Sequence, residues 1–207
     1  VSVASAEVVL TSVARDGPPV VERLHGMPIL FVLSSPRSGS SLLQLCLQVN
    51  PALYAGQELH LLPFATMRER RKLGAFQLLE GLVKTVAEVR ESDAGRAAEW
   101  VVSQEEQAVP IWSIFRQLIA DLGGTRILVD KTPAYVNHPF YLDHAHAIFG
   151  SAAKYIHLVR HPYACIESGV SLMTESIVND AFNPRRGGDA GLAWPFVESG
   201  WTAAQKN

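Results

Sequence analysis

The 207-residue sequence has little of several features that would narrow its function. It contains only two cysteines, and neither belongs to a C-x-x-C pair, so we expect a reduced compartment, the cytoplasm. Its net charge is only −2, so no overall basic field recruits nucleic acid, and any anion site must be local. No stretch approaches 18 unbroken apolar residues, so we expect no membrane-spanning helix.

The length suits one domain. A compact domain of this size buries roughly 70% of its unfolded surface, so its core needs neither a disulfide nor a metal. Apolar residues make up 48% of the chain and charged residues 18%, which is ordinary for a globular α/β protein.

Residues 1–27 are weakly patterned and predict a linker or irregular lead-in to a domain over 28–207. The opening "VSVASAEVVL" lacks an initiator Met and a signal-peptide layout, as expected of a piece of a longer polypeptide.

The apolar patterns predict strands alternating with helices. Short apolar runs rich in β-branched residues are typical of buried parallel strands, and apolar residues three or four apart are typical of helices. Alternating elements with short connections predict a parallel sheet covered on both faces, with its ligand beyond the carboxyl ends of the strands. The predicted strands are Ile29–Leu33, 126–130 and 154–160, and the clearest helical patterns are Ser41–Val49, 79–89 and 109–122.

The connection between the first strand and the first helix has an unusual composition. It contains one cation, one glycine and several hydroxyls: Pro36, Arg37, Ser38, Gly39, Ser40 and Ser41. A strand, a loop of small residues and a helix together point backbone N–H groups and the positive end of the helix dipole at an anion. Arg37 can add a charge-assisted hydrogen bond. The alternative is an ordinary turn with a serine N-cap.

This loop differs from the phosphate loop of nucleoside-triphosphate enzymes, G-x-x-x-x-G-K-[ST]. Aligned on Gly39, it has Ser34 in place of the first glycine and Ser40 in place of the lysine. The strand "RILVD" ends in Asp130, a possible magnesium ligand, so a P-loop kinase or NTPase remains an alternative. A non-catalytic nucleotide-binding module is another.

A second strand–helix junction supplies another candidate anion site. In "KYIHLVRHPYACIESGVSLM", Arg160 ends a strand and Pro162 suits the start of a helix. Ser168 then falls in the second turn of that helix, near the strand end. Arg160 and Ser168 can therefore hold one phosphate together, although a surface arginine and a solvated serine give the same pattern.

These segments resemble those of sulfotransferases that use 3′-phosphoadenosine-5′-phosphosulfate (PAPS). "SPRSGSSLL" resembles the family's 5′-phosphosulfate loop, and "YIHLVRHPYACIES" resembles its 3′-phosphate segment, with the same Arg-to-Ser spacing of eight. "NPALYAGQELHLLPFATM" and "DKTPAY" are similar to the sulfotransferase domains of modular polyketide synthases, of the curacin and olefin-synthase type. The likeness covers roughly residues 29–173.

The resemblance implies a P-loop-like three-layer sandwich, with a central parallel sheet flanked by helices. It also implies that part of the family fold, with a catalytic histidine, lies beyond Asn207. PAPS would donate the sulfuryl group and leave as 3′,5′-adenosine bisphosphate (PAP), with no metal required. Arg37 and its loop would hold the 5′ end, and Arg160 and Ser168 the 3′-phosphate.

The acceptor side follows from the same resemblance. Glu58 matches the family's acid and is the candidate base, helped if burial raises its pKa, whereas a salt-bridged loop residue is the alternative. Lys131 is expected near the bridging oxygen or the acceptor, or in a structural ion pair near Asp130. His60 and Tyr135 are the candidate acceptor contacts, although a surface or packing role is the favoured alternative for His60.

The resemblance also implies partners. The expected acceptor is the β-hydroxyl of an acyl chain on an acyl carrier protein, with other polyketide synthase domains in the parent chain; a tyrosylprotein, sugar or small alcohol is the alternative. "RERRK" (68–72) is typical of a solvated face and is the candidate docking site for an acidic carrier.

Overall fold

The computed structural model describes residue 24 and ranges 26–72 and 76–169, together with residues 171, 201, 202, 205 and 206. The predicted lead-in over 1–27 lies almost wholly outside this part of the chain. The strands are β1 (Ile29–Ser34), β2 (Leu53–Ala55), β3 (Ile127–Asp130) and β4 (Ala153–Leu158). The α-helices are α1 (Ser40–Gln48), α2 (Met67–Lys72), α3 (Phe76–Val89), α4 (Ala94–Glu106), α5 (Ile111–Asp121), α6 (Pro139–Phe149) and α7 (162–169).

The four strands form one parallel sheet in the order β2-β3-β1-β4. Alternate residues of β1 enter two separate apolar cores, because successive side chains of a strand point to opposite faces. Phe31 belongs to the larger core, which helices α3 to α6 cover. Val32 belongs to a small core that α1 covers through Leu43 and Leu47. The predicted α/β three-layer sandwich is therefore confirmed.

Parallel pairing brings the carboxyl ends of all four strands to one edge of the sheet. The connection to α1 leaves β1 there, and Glu58 follows β2 after a turn of two residues. Lys131 directly follows β3, and Arg160 comes two residues after β4. The topology thus gathers all the candidate segments at this edge, as expected for a parallel α/β sheet. In the described part of the chain, every helix is too short or too polar to span a bilayer.

Candidate functional site

The two predicted anion-binding segments meet in one cavity. Arg37 Nε donates a hydrogen bond of 3.1 Å to the Ser168 hydroxyl, and Arg160 donates one of 2.9 Å from a terminal guanidinium nitrogen to the Arg37 carbonyl. The cavity has a volume of about 220 Å³ and is lined by Arg37, Gly39, Ser40, Ser41, Arg160 and Ser168. Two guanidinium groups, serine hydroxyls and the start of α1 therefore face the same space.

The loop that carries Arg37 has a specialised backbone. Arg37 has φ of 66° and Gly39 has φ of 91°, both in the left-handed region that glycine tolerates and arginine seldom adopts. Such conformations persist where surrounding structure imposes them, and they concentrate at functional sites. Beneath the loop, the buried Ser35 and Ser38 hydroxyls lie 2.6 Å apart, and Ser38 also contacts the Cys165 thiol at 3.6 Å. Cys165 therefore joins the loop to α7.

A second cavity of about 400 Å³ adjoins the first. Glu58 lines it, with one carboxylate oxygen 2.5 Å from Lys131 Nζ and the other 3.1 Å from His60 Nε2. Ser41 lines both cavities. An acidic side chain held by two basic side chains therefore lies next to the cavity lined by the two arginines.

The surroundings of Glu58 lower its pKa. Burial alone would raise it, but hydrogen bonds from His60 and Lys131, together with the Lys131 charge, outweigh burial, and the pKa lies below the usual glutamate value. A pKa raised by burial, which would help Glu58 as a base, is therefore not found in this arrangement. The carboxylate is ionised at neutral pH and available to accept a hydrogen bond.

Asp130 is removed from both cavities. Its side chain is fully buried, and its two oxygens accept hydrogen bonds from Thr132 at 2.7 Å and from Tyr135 at 2.8 Å. Burial raises the pKa of Asp130 to about 6, against the effect of these bonds. Because both oxygens of this buried carboxylate already accept hydrogen bonds, Asp130 is not positioned to bind a magnesium ion. This weakens the kinase or NTPase alternative. No group of three His, Cys, Asp or Glu side chains suited to a metal occurs in the described ranges.

Comparison with known proteins identifies the family of this chain. The model of the family described as "Sulfotransferase family" matches residues 28–204. The chain belongs to this sulfotransferase family. A search of curated proteins found no match to this chain.

Two solved structures resemble this sulfotransferase. One is the sulfotransferase domain from the Synechococcus PCC 7002 olefin synthase, with 37% identity and a TM-score of 0.74, over 86% of this chain and 59% of that one. The other is the sulfotransferase domain from the curacin biosynthetic pathway, with 36% identity and a TM-score of 0.72, over 89% of this chain and 61% of that one. The chain thus spans about three fifths of either structure, and the predicted resemblance to these domains is confirmed.

The predicted site residues of the sulfotransferase differ in whether they line a cavity. Glu58, His60 and Lys131 line the larger cavity. Ser38 lies buried beneath its loop, whereas Pro36 is exposed at the loop surface. Neither of these two residues lines the smaller cavity.

Two expectations need correction. Tyr135 does not face a cavity, because its side chain is fully buried with its hydroxyl engaged by Asp130 and by the backbone of Leu61 and Leu62. The basic run 68–72 is not a uniformly solvated face either. Arg70 within it is completely buried and forms an ion pair of 3.7 Å with Glu105.

Helix α3 contributes residues that sequence reasoning missed. Gly81 lines the larger cavity, and a Cβ atom built there would lie only 2.2 Å from the Glu58 carbonyl oxygen. Thr85, one turn later, accepts a hydrogen bond of 3.3 Å from the Gln57 N–H. The sequence did contain a signal for this contact, namely a glycine inside a strong helical pattern. Because glycine destabilises a helix, its presence there indicates close packing against a neighbouring group.

Proposed function

We propose that this sulfotransferase transfers the sulfuryl group of PAPS to the hydroxyl of an acyl chain carried by an acyl carrier protein. The observation that carries the proposal is the convergence of Arg37, Arg160 and Ser168 on one cavity, next to a second cavity that holds Glu58. PAPS has phosphates at both ends of its ribose. Two basic groups on different strand–helix junctions match that charge distribution better than they match a single phosphate.

In the proposed reaction, the acceptor oxygen forms a bond to sulfur while the bond from sulfur to the 5′-phosphate oxygen breaks. Negative charge develops on the departing PAP. The Arg37 guanidinium and the N–H groups at the start of α1 stabilise that charge, since donors preorganised in a protein site act most strongly where charge appears. Arg160 and Ser168 hold the 3′-phosphate and exclude nucleotides without it.

The acceptor hydroxyl lies in the larger cavity and loses its proton to Glu58. Lys131 and His60 hold the two carboxylate oxygens in place. Because the pKa of Glu58 is low, the carboxylate is a weak base. Proton transfer therefore accompanies late bond formation to sulfur, when the acceptor oxygen has become acidic, and positioning supplies most of the rate.

The carrier-bound acceptor is supported by the two similar structures, which come from an olefin synthase and from the curacin biosynthetic pathway. A β-hydroxyacyl polyketide intermediate on a carrier protein is the substrate we propose, and neighbouring synthase domains are the proposed partners. The compartment that supplies such substrates is the cytoplasm.

Calorimetric titration with PAP tests the donor site. We expect binding in the micromolar range and at least tenfold weaker binding in Arg160→Ala, whereas Arg96→Ala, which removes an exposed guanidinium from α4, leaves the affinity unchanged. No binding of PAP, or equal binding by Arg160→Ala, would overturn the proposal.

Radiolabelled PAPS tests the acceptor. The label is expected on β-hydroxyacyl carrier protein and not on a free tyrosyl peptide, a sugar or a small alcohol. Preferential labelling of any of these free acceptors would support PAPS as the donor, but it would show that the acceptor belongs to a different class. Tight magnesium-dependent ATP binding without PAP binding would instead indicate a nucleotide kinase.

A further inference from the structure

The segment 58–62 presents Glu58 and His60 to the larger cavity, yet it has no regular secondary structure. His60 has φ of 50°, in the left-handed region that few non-glycine residues adopt. A segment of this kind keeps its conformation only when neighbouring groups impose it.

The residues that follow β3 hold the backbone of this segment. The Tyr135 hydroxyl accepts hydrogen bonds from the N–H groups of Leu61 at 3.0 Å and Leu62 at 3.4 Å. The Thr132 hydroxyl accepts a hydrogen bond of 3.3 Å from the His60 N–H. Three consecutive backbone donors are therefore satisfied by side chains from one short stretch.

Asp130 fixes both of those hydroxyls. Each hydroxyl donates its single hydrogen to one Asp130 oxygen, which leaves its lone pairs to face the N–H groups of the segment. Asp130, Thr132 and Tyr135 are all fully buried, so water cannot replace these bonds and each is strengthened by the low local dielectric. Lys131, between Asp130 and Thr132 in sequence, holds the Glu58 carboxylate itself.

We infer that Asp130, Thr132 and Tyr135 form a buried positioning network that sets the Glu58 carboxylate against the acceptor. The inference rests on the proposed function. The short stretch after β3 thus acts on segment 58–62 in two ways. Two of its hydroxyls hold the backbone of the segment, and Lys131 holds the side chain of Glu58. Tyr135 acts through this network and does not touch the substrate.

Removing a single hydroxyl tests the network. In Tyr135→Phe, we expect kcat for sulfuryl transfer to fall about 10- to 100-fold, because displacement of a reacting group by about 1 Å has effects of that size. The KM for PAPS and the affinity for PAP remain within twofold of wild type, since the smaller cavity is untouched. Thr132→Val lowers kcat in the same way, and Thr132→Ser, which keeps the hydroxyl, restores it.

Two controls separate positioning from stability. Tyr141→Phe removes the hydroxyl of a partly buried tyrosine near Tyr135 and leaves kcat unchanged. Ile148→Val trims a buried side chain of α6, lowers the melting temperature and also leaves kcat unchanged. Amide hydrogen exchange at Leu61 and Leu62 is expected to be faster in Tyr135→Phe than in Ile148→Val at equal global stability.

The inference is overturned if Tyr135→Phe retains wild-type kcat, or if its kcat and PAP affinity fall by the same factor. It is also overturned if exchange at Leu61 and Leu62 is the same in Tyr135→Phe and Ile148→Val. Failure of the proposed function gives a different result, namely a wild-type chain that neither binds PAP nor transfers sulfate. In that case the exchange measurement still decides whether the network holds the segment.

Discussion

Arg37 Nε and the Ser168 hydroxyl are joined by a hydrogen bond of 3.1 Å, although 131 residues separate them in sequence. This bond connects the loop after β1 to the helix after β4. The Arg160 guanidinium reinforces the connection by donating to the Arg37 carbonyl. The two junctions are consequently held together, and their side chains line one cavity.

The first prediction concerns Ser168. Ser168→Ala removes a hydroxyl that accepts from Arg37 and that we propose donates to the 3′-phosphate. We expect PAP to bind about tenfold more weakly, the effect of losing one hydrogen bond to a charged group, about 1.5 kcal/mol. Ser171→Ala is the matched control, since the Ser171 hydroxyl donates instead to the Glu167 carbonyl on the same helix. Equal affinities of the two variants in calorimetry would contradict the prediction.

The second prediction concerns the packing of α3. Gly81→Ala places a methyl group against the Glu58 carbonyl oxygen, so the helix must move away. Overpacking of this kind costs about 1–3 kcal/mol, more than the roughly 1 kcal/mol that alanine gains over glycine within a helix. Urea unfolding should show lower stability, and kcat should fall because Glu58 is displaced.

Gly95→Ala is the control for that change. Its new methyl group would meet only the Asp93 side chain, at 3.0 Å, and a side chain can move aside. That Asp93 oxygen also caps α4 by accepting from the Arg96 N–H at 2.9 Å, so it can shift only slightly. We expect nearly unchanged stability, because the gain of alanine over glycine offsets a slightly weakened cap. A Gly81→Ala variant as stable and as active as Gly95→Ala would show that the close contact is unimportant.

The third prediction concerns the pH dependence of transfer. Since its surroundings hold the pKa of Glu58 below the usual glutamate value, the carboxylate stays ionised well into the acid range. The kcat is therefore expected to be constant from pH 8 down to about 7, and to fall near pH 6, where Asp130 gains a proton and loses an acceptor for the bonds from Thr132 and Tyr135. Loss of the Glu58 charge adds a further fall only below the ordinary glutamate pKa of about 4.3. Glu58→Gln should lower kcat at every pH while PAP affinity is kept. An acid limb near pH 6 to 7 that disappears in Glu58→Gln but remains in Asp130→Asn would refute this expectation, because it would then belong to Glu58 itself.

The fourth prediction concerns stability and Asp130. Burial raises the pKa of Asp130 from 3.8 to about 6, so between these values the folded chain holds a proton that the unfolded chain has released. The stability due to this proton is complete below pH 3.8 and is lost as pH rises through 6. The loss amounts to about 3 kcal/mol, from 1.36 kcal/mol per pKa unit.

Urea unfolding between pH 4 and 7 measures this dependence. The difference in unfolding free energy between wild type and Asp130→Asn should change by about that amount over the range. Asp143→Asn, which alters an exposed carboxylate of α6, should follow the wild-type curve. Parallel curves for wild type and Asp130→Asn would mean that Asp130 titrates at its ordinary pKa.

Local patterns were sufficient to predict the strand–helix junctions. The helix over Ser41–Val49 was predicted within one residue of α1, and Pro162 does begin a helix. Such features depend on neighbouring residues: apolar spacing, a proline at the first turn, and a loop of small residues. Because parallel strands share an edge, the gathering of Arg37, Glu58 and Arg160 also followed from the sequence.

Side-chain environments were not predictable in the same way. The lowered pKa of Glu58 depends on His60, two residues away, and also on Lys131, which is 73 residues away and reaches Glu58 only in the folded chain. The burial of Arg70 depends on Glu105, in a different helix. Tyr135 follows a lysine in a motif that resembles a substrate site, yet the turn after β3 directs its ring into the core. Tertiary contacts decided all three cases.

Ser41 lines both cavities, and this has a kinetic consequence. Under the proposed function, donor and acceptor would occupy two cavities that share this serine as a wall, both bound at the same time, and no residue would need to carry sulfate between two half-reactions. Initial-rate plots against either substrate should therefore intersect, which is the signature of a ternary complex, rather than run parallel as in a ping-pong scheme.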